Sequence, residues 1–220
     1  MLVYHGSYLK IDNIDLSKCK LNKDFGQGFY VTKFRHHAEN WAQIIGLRNN
    51  TVGFVTEFDY CDSPFTEQLC KVRHFAEYDG EWLDFVIANR TPKSPMHDFD
   101  IVEGPVADDK VQHRIFDYFD NKVDRQTFLR ELKYHEETHQ ICFCTMKSLL
   151  TLSHVDEKPV SDFAKTIDYI IHKLKYDDGM DEVKAVELLY NSKTFAKFSD
   201  ESAGLYLKPW REIYAMLKNE

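Results

Sequence analysis

Three short stretches of the sequence carry side chains suited to binding a small ligand with hydroxyl groups and a planar ring. His5 ends an apolar stretch and is followed by Gly6. Histidine can hydrogen-bond a hydroxyl through one ring nitrogen, and a glycine leaves its backbone N–H and C=O open to a ligand. Tyr30 follows a glycine-spaced loop over residues 24–29, and its flat ring could stack on another ring. Gln140 begins a later apolar stretch and adds a hydrogen-bonding amide.

These stretches resemble a known enzyme superfamily. Residues 4–6 (Tyr-His-Gly) and 25–30 (Phe-Gly-Gln-Gly-Phe-Tyr) are similar to the first two motifs of ADP-ribosyltransferases, in the branch with a His, a Tyr and a third polar residue. Residues 81–85 and the long, unusual run 100–109 extend the resemblance to a bacterial domain family of unknown function placed in that superfamily. The resemblance implies an α+β fold, with a split β-sheet NAD-binding domain over residues 1–152.

The resemblance also implies a role for each motif residue. His5 would hydrogen-bond a ribose hydroxyl of NAD, the backbone of Gly6 would pair with the nicotinamide amide, and Tyr30 would stack on the nicotinamide ring. NAD would be a substrate, and no metal is expected. The predicted NAD-binding residues are His5, Gly6, Ser7, Gly28, Phe29 and Tyr30.

The third polar position departs from the family pattern. The family usually carries Glu there, which hydrogen-bonds the nicotinamide ribose and stabilises the positive charge that develops as nicotinamide leaves. We place Gln140 at this position, where an amide keeps the hydrogen bond and loses the negative charge. Glu136 or Glu137 could supply a carboxylate instead, or both could be solvated residues before the strand. We expect His5, Tyr30 and Gln140 to be the catalytic residues.

The resemblance and the charge together predict a mono-ADP-ribosyltransferase that modifies a macromolecule. The loss of Glu favours transfer of one ADP-ribose over chain elongation. The net charge of −8 favours a protein acceptor over a nucleic acid, because an acidic surface repels phosphates. Three alternatives stay open: a non-catalytic module that binds NAD or ADP-ribose, an NAD glycohydrolase with water as acceptor, and an interaction protein that does not bind NAD.

The second part of the chain differs in composition. Residues 153–160 are polar, contain a proline and predict a linker. Residues 160–220 predict a small all-α helical domain, with apolar stripes at helical spacing. The stripes comprise Phe163, Ile167, Ile170, Ile171 and Leu174, then Val183, Val186 and Tyr190, then Trp210, Ile213, Tyr214 and Leu217.

This helical region is similar to a second small bacterial domain of unknown function that is often encoded beside the first. Such a gene pair suggests a toxin and its antitoxin, here joined in one chain. A tethered partner has a high effective concentration, so the helices could shield the NAD pocket or hold an adaptor. Alternatively they only complete the fold. We expect them to dock on the first domain or on another chain.

Other elements follow from periodicity. Strands are predicted over residues 52–59, 99–106 and 140–145, and a helix over residues 81–89. Thr32 can cap a helix whose apolar face comprises Ala38, Trp41, Ala42 and Ile45. Two further helices are expected around residues 115–119 and 128–132.

The sequence also argues against some classes of protein. No apolar stretch reaches the roughly 18–20 residues that cross a bilayer, and the first residues do not read as a signal peptide. Five scattered cysteines make a poor disulfide framework, so a reducing, cytoplasmic location is expected. Cys142 and Cys144 could be half of a metal site, and Asp108 and Asp109 could bind a metal, but structural and solvated roles are favoured.

Overall fold

The computed structural model describes residues 1–90, 97–107, 123–124, 126–127, 137–160 and 163–220. The helices predicted around residues 115–119 and 128–132 lie outside these ranges, as do Asp108, Asp109 and Glu136. The strands are β1 Leu2–Ser7, β2 Phe29–Val31, β3 Gly53–Tyr60, β4 Val72–His74, β5 Ile101–Gly104, β6 Gln140–Phe143 and β7 Leu152–Val160. The α-helices are α1 Arg35–Arg48, α2 Pro64–Leu69, α3 Gly80–Arg90, α4 Met146–Leu149, α5 Phe163–Tyr176, α6 Glu182–Tyr190, α7 Lys193–Phe198 and α8 Trp210–Lys218.

The strands form two sheets. One has three strands in the order β1–β3–β7, and the other has four in the order β2–β6–β5–β4. In the second sheet β2 and β5 both run antiparallel to β6, whereas β4 runs parallel to β5. Mixed helices and strands with two separate sheets confirm the α+β class.

The chain divides into two compact units, and each is built from three separate segments. Unit 1 comprises Met1–Val3, Asp12–Phe34 and Phe58–His154, and unit 2 comprises Tyr4–Ile11, Arg35–Glu57 and Val155–Glu220. These are units of packing, so the predicted domain boundary between residues 152 and 160 stays a prediction.

The predicted linker over residues 153–160 is wrong, because this segment is strand β7. The strand lies at the edge of its sheet and most of its side chains are exposed. An edge strand is held by backbone hydrogen bonds and tolerates polar residues and proline, so its composition resembles that of a linker.

Unit 1 has an aromatic core beneath the four-stranded sheet. Phe25, Trp82, Leu83, Val102 and Cys142 are buried together. The predicted helix over residues 81–89 is confirmed as α3, which buries its indole and leucine side chains here. The indole nitrogen of Trp82 donates to the carbonyl of Pro105 at 3.1 Å.

In unit 2, α1 packs through small residues. Ala38 and Ala42 are buried as predicted, but the predicted burial of Trp41 is wrong, because 48% of its surface is exposed. A Cβ on Gly6 would lie 2.2 Å from the carbonyl oxygen of Ala38, and one on Gly53 would lie 2.3 Å from that of Ala42. Glycines on β1 and β3 therefore let α1 approach closely, and the large Trp41 side chain faces away.

The segment after residue 160 is helical, as predicted, and forms its own apolar cluster within unit 2. The buried members are Ile167, Ile170, Leu174, Ala185, Leu189, Phe198, Ile213 and Leu217. The predicted stripe on α6 is wrong for two residues, because Val183 and Tyr190 are exposed, and Ala185 and Leu189 face the cluster instead. A short helix offers several apolar faces, and only packing selects one of them.

The C-terminal helices dock on α1 inside unit 2. The indole nitrogen of Trp210 donates to the carbonyl of Leu47 at 3.0 Å. The ammonium of Lys165 donates to the side-chain oxygens of Asn40 and Gln43 at 2.8 and 2.9 Å. Among the described helices, none is both long and apolar enough to span a membrane.

Candidate functional site

Tyr30 is held firmly on β2 in unit 1. Its hydroxyl accepts a hydrogen bond from the backbone N–H of Phe25 at 3.0 Å and donates to the carbonyl of Gly26 at 2.8 Å. Burial, reinforced by the neighbouring Cys142 thiol, raises the pKa of Tyr30 well above its ordinary value. The ring is only partly buried and packs against the aromatic core. Its hydroxyl is therefore fixed and protonated, while part of the residue stays accessible.

The glycine-spaced loop before Tyr30 approaches strand β6. Gly26 has a φ of 81°, which favours glycine. A Cβ on Gly28 would lie 2.4 Å from the sulfur of Cys142 and 2.7 Å from the carbonyl oxygen of Phe143. The glycine spacing predicted that this loop approaches another part of the molecule, and at Gly28 that part is strand β6. Phe29 is buried, and its ring packs edge-on against Phe58 at 5.5 Å between centroids.

Gln140 belongs to a buried polar network centred on Asp24. The Gln140 amide nitrogen donates to Asp24 Oδ2 at 2.8 Å and to the carbonyl of Pro105 at 3.1 Å. Arg90 donates to Asp24 Oδ1 from Nε at 2.9 Å and from Nη2 at 2.5 Å. The backbone N–H of Ala107 also donates to Asp24 Oδ2, at 2.8 Å. Both carboxylate oxygens are therefore saturated, and Arg90 balances the buried charge.

This network fixes which atom of Gln140 remains available. The amide nitrogen has two acceptors, so the amide orientation is set by its neighbours. No hydrogen bond to Oε1 is present within the described part of the chain. Sequence reasoning missed Asp24 and Arg90 because 66 residues separate them. The only sequence signal was the place of Asp24 at the start of the glycine-spaced loop.

The residues predicted on β1 belong to unit 2. His5 is partly buried, and Gly6 and Ser7 are buried. Helix α1 passes so close to Gly6 that a Cβ at this position would clash with the Ala38 carbonyl oxygen, so position 6 requires glycine. Ser7 Oγ accepts a hydrogen bond from the backbone N–H of Leu9 at 3.1 Å. The structure brings Gly28, Tyr30 and Gln140 together in unit 1, and His5, Gly6 and Ser7 lie together in unit 2.

Unit 1 also contains a cluster of titratable side chains around Glu103, which the sequence did not predict. Glu103 on β5 lies between two histidines, with Oε1 2.8 Å from His139 Nε2 and Oε2 3.0 Å from His74 Nδ1. The backbone N–H of Lys33 donates to His139 Nδ1 at 3.2 Å, so the His139 proton resides on Nε2 and is donated to Glu103. The side chain of His74 is exposed.

The pKa of Glu103 reflects two opposing influences. Burial raises it, but the hydrogen bond from His139 and the positive charges around the carboxyl outweigh burial, so the pKa lies below its ordinary value. Glu103 is therefore a carboxylate at neutral pH. Glu137, the predicted alternative carboxylate, is exposed and pairs with the Lys33 ammonium at 3.0 Å, as expected for a solvated residue.

The thiols of Cys142 and Cys144 contact each other, with 3.4 Å between the sulfur atoms. Cys142 is buried and Cys144 is partly buried. Across the ranges that the structure describes, no group of three His, Cys, Asp or Glu side chains is arranged to hold a metal ion. The alternative interpretation of these two cysteines as half of a metal site therefore finds no further ligands among the described residues.

Comparison with known proteins gives one match. A family model described as "Protein of unknown function (DUF3990)" matches residues 1–154, which is more than half of the chain. No curated protein and no solved structure matches the sequence. The predicted membership of a family of unknown function over the first part of the chain is confirmed, whereas the ADP-ribosyltransferase superfamily stays a prediction. The chain belongs to the DUF3990 family.

Proposed function

We propose that this protein binds NAD and transfers a single ADP-ribose from it to a macromolecule. The observation that carries the proposal is the antiparallel pairing of β2 with β6, in which Tyr30 stands opposite Cys142. Directly opposed residues point to the same face of a sheet, and so do residues two apart on a strand. The side chains of Tyr30 and Gln140 therefore share one face, in a diagonal relation with about 7–8 Å between their Cα atoms.

The two side chains on this face would contact different parts of a nicotinamide riboside. The Tyr30 ring would stack on the nicotinamide, and such a contact contributes about 1 kcal/mol. Gln140 Oε1 would accept a hydrogen bond from a ribose hydroxyl, because Asp24 and Pro105 already hold its amide nitrogen.

The reaction would proceed by loss of nicotinamide. The bond between nicotinamide and ribose breaks and its electron pair leaves with the nicotinamide. The acceptor nucleophile then bonds to the ribose carbon and gives up its proton. Gln140 orients the ribose without contributing a negative charge, so stabilisation of the developing cation is weaker than with Glu. This supports transfer to an acceptor that is already nucleophilic, and the acidic net charge favours a protein.

The Asp24 network also favours a second candidate, a module that binds NAD or ADP-ribose without chemistry. The only carboxylate that contacts Gln140 among the described residues is Asp24, and Arg90 neutralises it. A site built in this way can hold a ribose and still lack the charge that drives nicotinamide release.

The test measures NAD binding, nicotinamide release and label transfer with the full-length chain. NAD labelled in its ADP-ribose part is incubated with the protein and a cell lysate. Tyr30→Ala should weaken NAD binding by about tenfold, whereas Tyr176→Ala, at a tyrosine that is 70% exposed on α5, should leave it unchanged.

Each outcome of this assay has a distinct meaning. Labelled protein that disappears with Tyr30→Ala supports the transferase. NAD that binds and stays intact supports the binding module and contradicts transfer. Free ADP-ribose without labelled macromolecule indicates a glycohydrolase. No NAD binding by the wild-type chain contradicts the proposal as a whole.

A further inference from the structure

The thiols of Cys142 and Cys144 lie close enough together to form a disulfide after a small movement of the sulfur atoms. The sulfur atoms lie 3.4 Å apart, and a disulfide needs about 2.05 Å with Cα atoms about 4.4–6.8 Å apart. Two residues of extended chain span about 6.6 Å, which falls within that range. The backbone N–H of Cys144 donates to the carbonyl of Asp100 at 2.8 Å, so this residue stays anchored while its side chain rotates.

The two thiols differ in accessibility. Cys144 is partly exposed, whereas Cys142 is fully buried beneath the loop before Tyr30. Burial, and then the neighbouring Cys144, hold the pKa of the Cys142 thiol well above its ordinary value. Because Cys144 is the more accessible thiol, it is the first of the pair to meet an oxidant, and Cys142 is the resolving partner.

We propose that Cys142 and Cys144 form an oxidation site, at which a hydroperoxide produces a reversible disulfide within the chain. The Cys144 sulfur attacks the peroxide, an S–O bond forms, the O–O bond breaks, and an alcohol or water leaves, which yields a sulfenic acid. The Cys142 sulfur then attacks the Cys144 sulfur. The S–S bond forms, the S–O bond breaks, and the hydroxyl leaves as water with the Cys142 proton. An external thiol reverses the reaction by exchange.

Oxidation at this site would alter the surroundings of Tyr30. The Cys142 sulfur lies directly against Gly28 and interacts with the Tyr30 hydroxyl. Disulfide formation removes the thiol proton of Cys142 and shortens the sulfur–sulfur distance from 3.4 Å to about 2.05 Å, so it changes the group that Gly28 and Tyr30 contact. The effect on NAD rests on the proposed function: the disulfide loosens the support of Tyr30 and weakens NAD binding several-fold.

The experiment treats the reduced full-length chain with hydrogen peroxide and then alkylates the remaining thiols. Peptide mass mapping should show a linkage between Cys142 and Cys144, with loss of two hydrogen atoms, and dithiothreitol should reverse it. Cys144→Ser should abolish the linkage and leave Cys142 free to be alkylated after unfolding. The matched control Cys61→Ser removes an exposed cysteine and should leave the linkage unchanged.

Two results would overturn the proposal. One is that both thiols remain alkylatable while the exposed Cys61 becomes oxidised, and the other is that Cys142 links to Cys19 instead. NAD affinity is measured separately on the reduced and the oxidised wild-type chain. A linkage without any NAD binding contradicts the proposed function alone, and equal NAD affinity of both forms contradicts the coupling to Tyr30.

Discussion

At the scale of single residues, the Asp24 network explains why Gln140 is not a glutamate. Asp24 Oδ2 lies 2.8 Å from the Gln140 amide nitrogen, and both residues are buried. A glutamate at position 140 would place two carboxylates in contact, where Arg90 is the one neutralising charge among the described residues. The amide side chain at position 140 and the carboxylate of Asp24 therefore fit each other as hydrogen-bond donor and acceptor.

This arrangement predicts the pH dependence of Gln140→Glu. Contact with Asp24 raises the folded-state pKa of the introduced carboxyl above its unfolded value of about 4.3, so the charge-dependent part of the destabilisation is absent at lower pH and grows as the pH rises. At pH 7 we expect a loss of roughly 3 kcal/mol in urea unfolding. Gln140→Met, which introduces no charge, should show a pH-independent loss. Equal stability of Gln140→Glu and wild type at pH 7 would refute the arrangement.

Asp24 itself should be among the most sensitive polar positions. Asp24→Asn leaves the Arg90 guanidinium without its carboxylate in a largely buried site, which costs about 3–5 kcal/mol in unfolding free energy. Asp12→Asn, at an exposed residue, is the matched control and should leave stability unchanged. A small effect at position 24 would mean that solvent reaches the network.

Glu103 should contribute to stability only in one pH range. Because its folded-state pKa lies below the ordinary value of 4.5, its contribution is fully present above pH 4.5 and is lost as the pH falls through the lower folded value. Denaturant unfolding of wild type and Glu103→Gln should differ by about 1–3 kcal/mol at pH 7 and converge at acidic pH. A difference that stays constant with pH would show that the carboxylate charge is unimportant.

At the scale of elements, β7 shows that an edge strand can have the polar composition of a linker and therefore be missed in a sequence. Its side chains are mostly exposed, and its order comes from its place beside β3. Within unit 2, Glu157 Oε2 accepts from the backbone N–H of Ile11 at 2.8 Å and from the Thr56 hydroxyl at 3.3 Å. A polar residue of this strand thus joins two other segments of the chain.

The same feature predicts the behaviour of a fragment that ends at residue 152. The fragment lacks β7 and exposes the hydrogen-bonding edge of β3, which is an aggregation hazard. It should be less soluble and melt without a cooperative transition in circular dichroism, whereas the full chain melts cooperatively. A fragment with the melting temperature of the full chain would show that β7 is dispensable, and would support an independent domain over residues 1–152.

At the scale of the whole molecule, the chain builds each compact unit from three distant segments. Unit 2 joins β1 and α1 residues to the C-terminal helices, so those helices complete a packing unit that begins near the N-terminus. This supports the expectation that they dock on the first part of the chain. Their regulatory role stays a prediction.

Two tryptophans test the docking of the helices on α1. Trp210 is 7% exposed and donates to the Leu47 carbonyl, so Trp210→Phe should cost about 1–2 kcal/mol in unfolding free energy. It should also speed hydrogen exchange at the end of α1. Trp41→Phe, at a tryptophan on α1 that is 48% exposed, should change neither measurement. Equal effects of both substitutions would contradict the docking.

The resemblance that the sequence carries implied the α+β class, and hydrophobic periodicity predicted β3, β5, β6, α3 and the helices after residue 160. The glycine spacing before Tyr30 predicted that the backbone of this loop approaches another part of the molecule closely. Only tertiary structure showed that Gly28 faces β6, that Gly6 faces α1, and that the polar segment after residue 152 is a strand. The Asp24–Arg90–Gln140 network and the histidines around Glu103 join residues far apart in the chain. Their partners are set by sheet order and register, which no local pattern encodes.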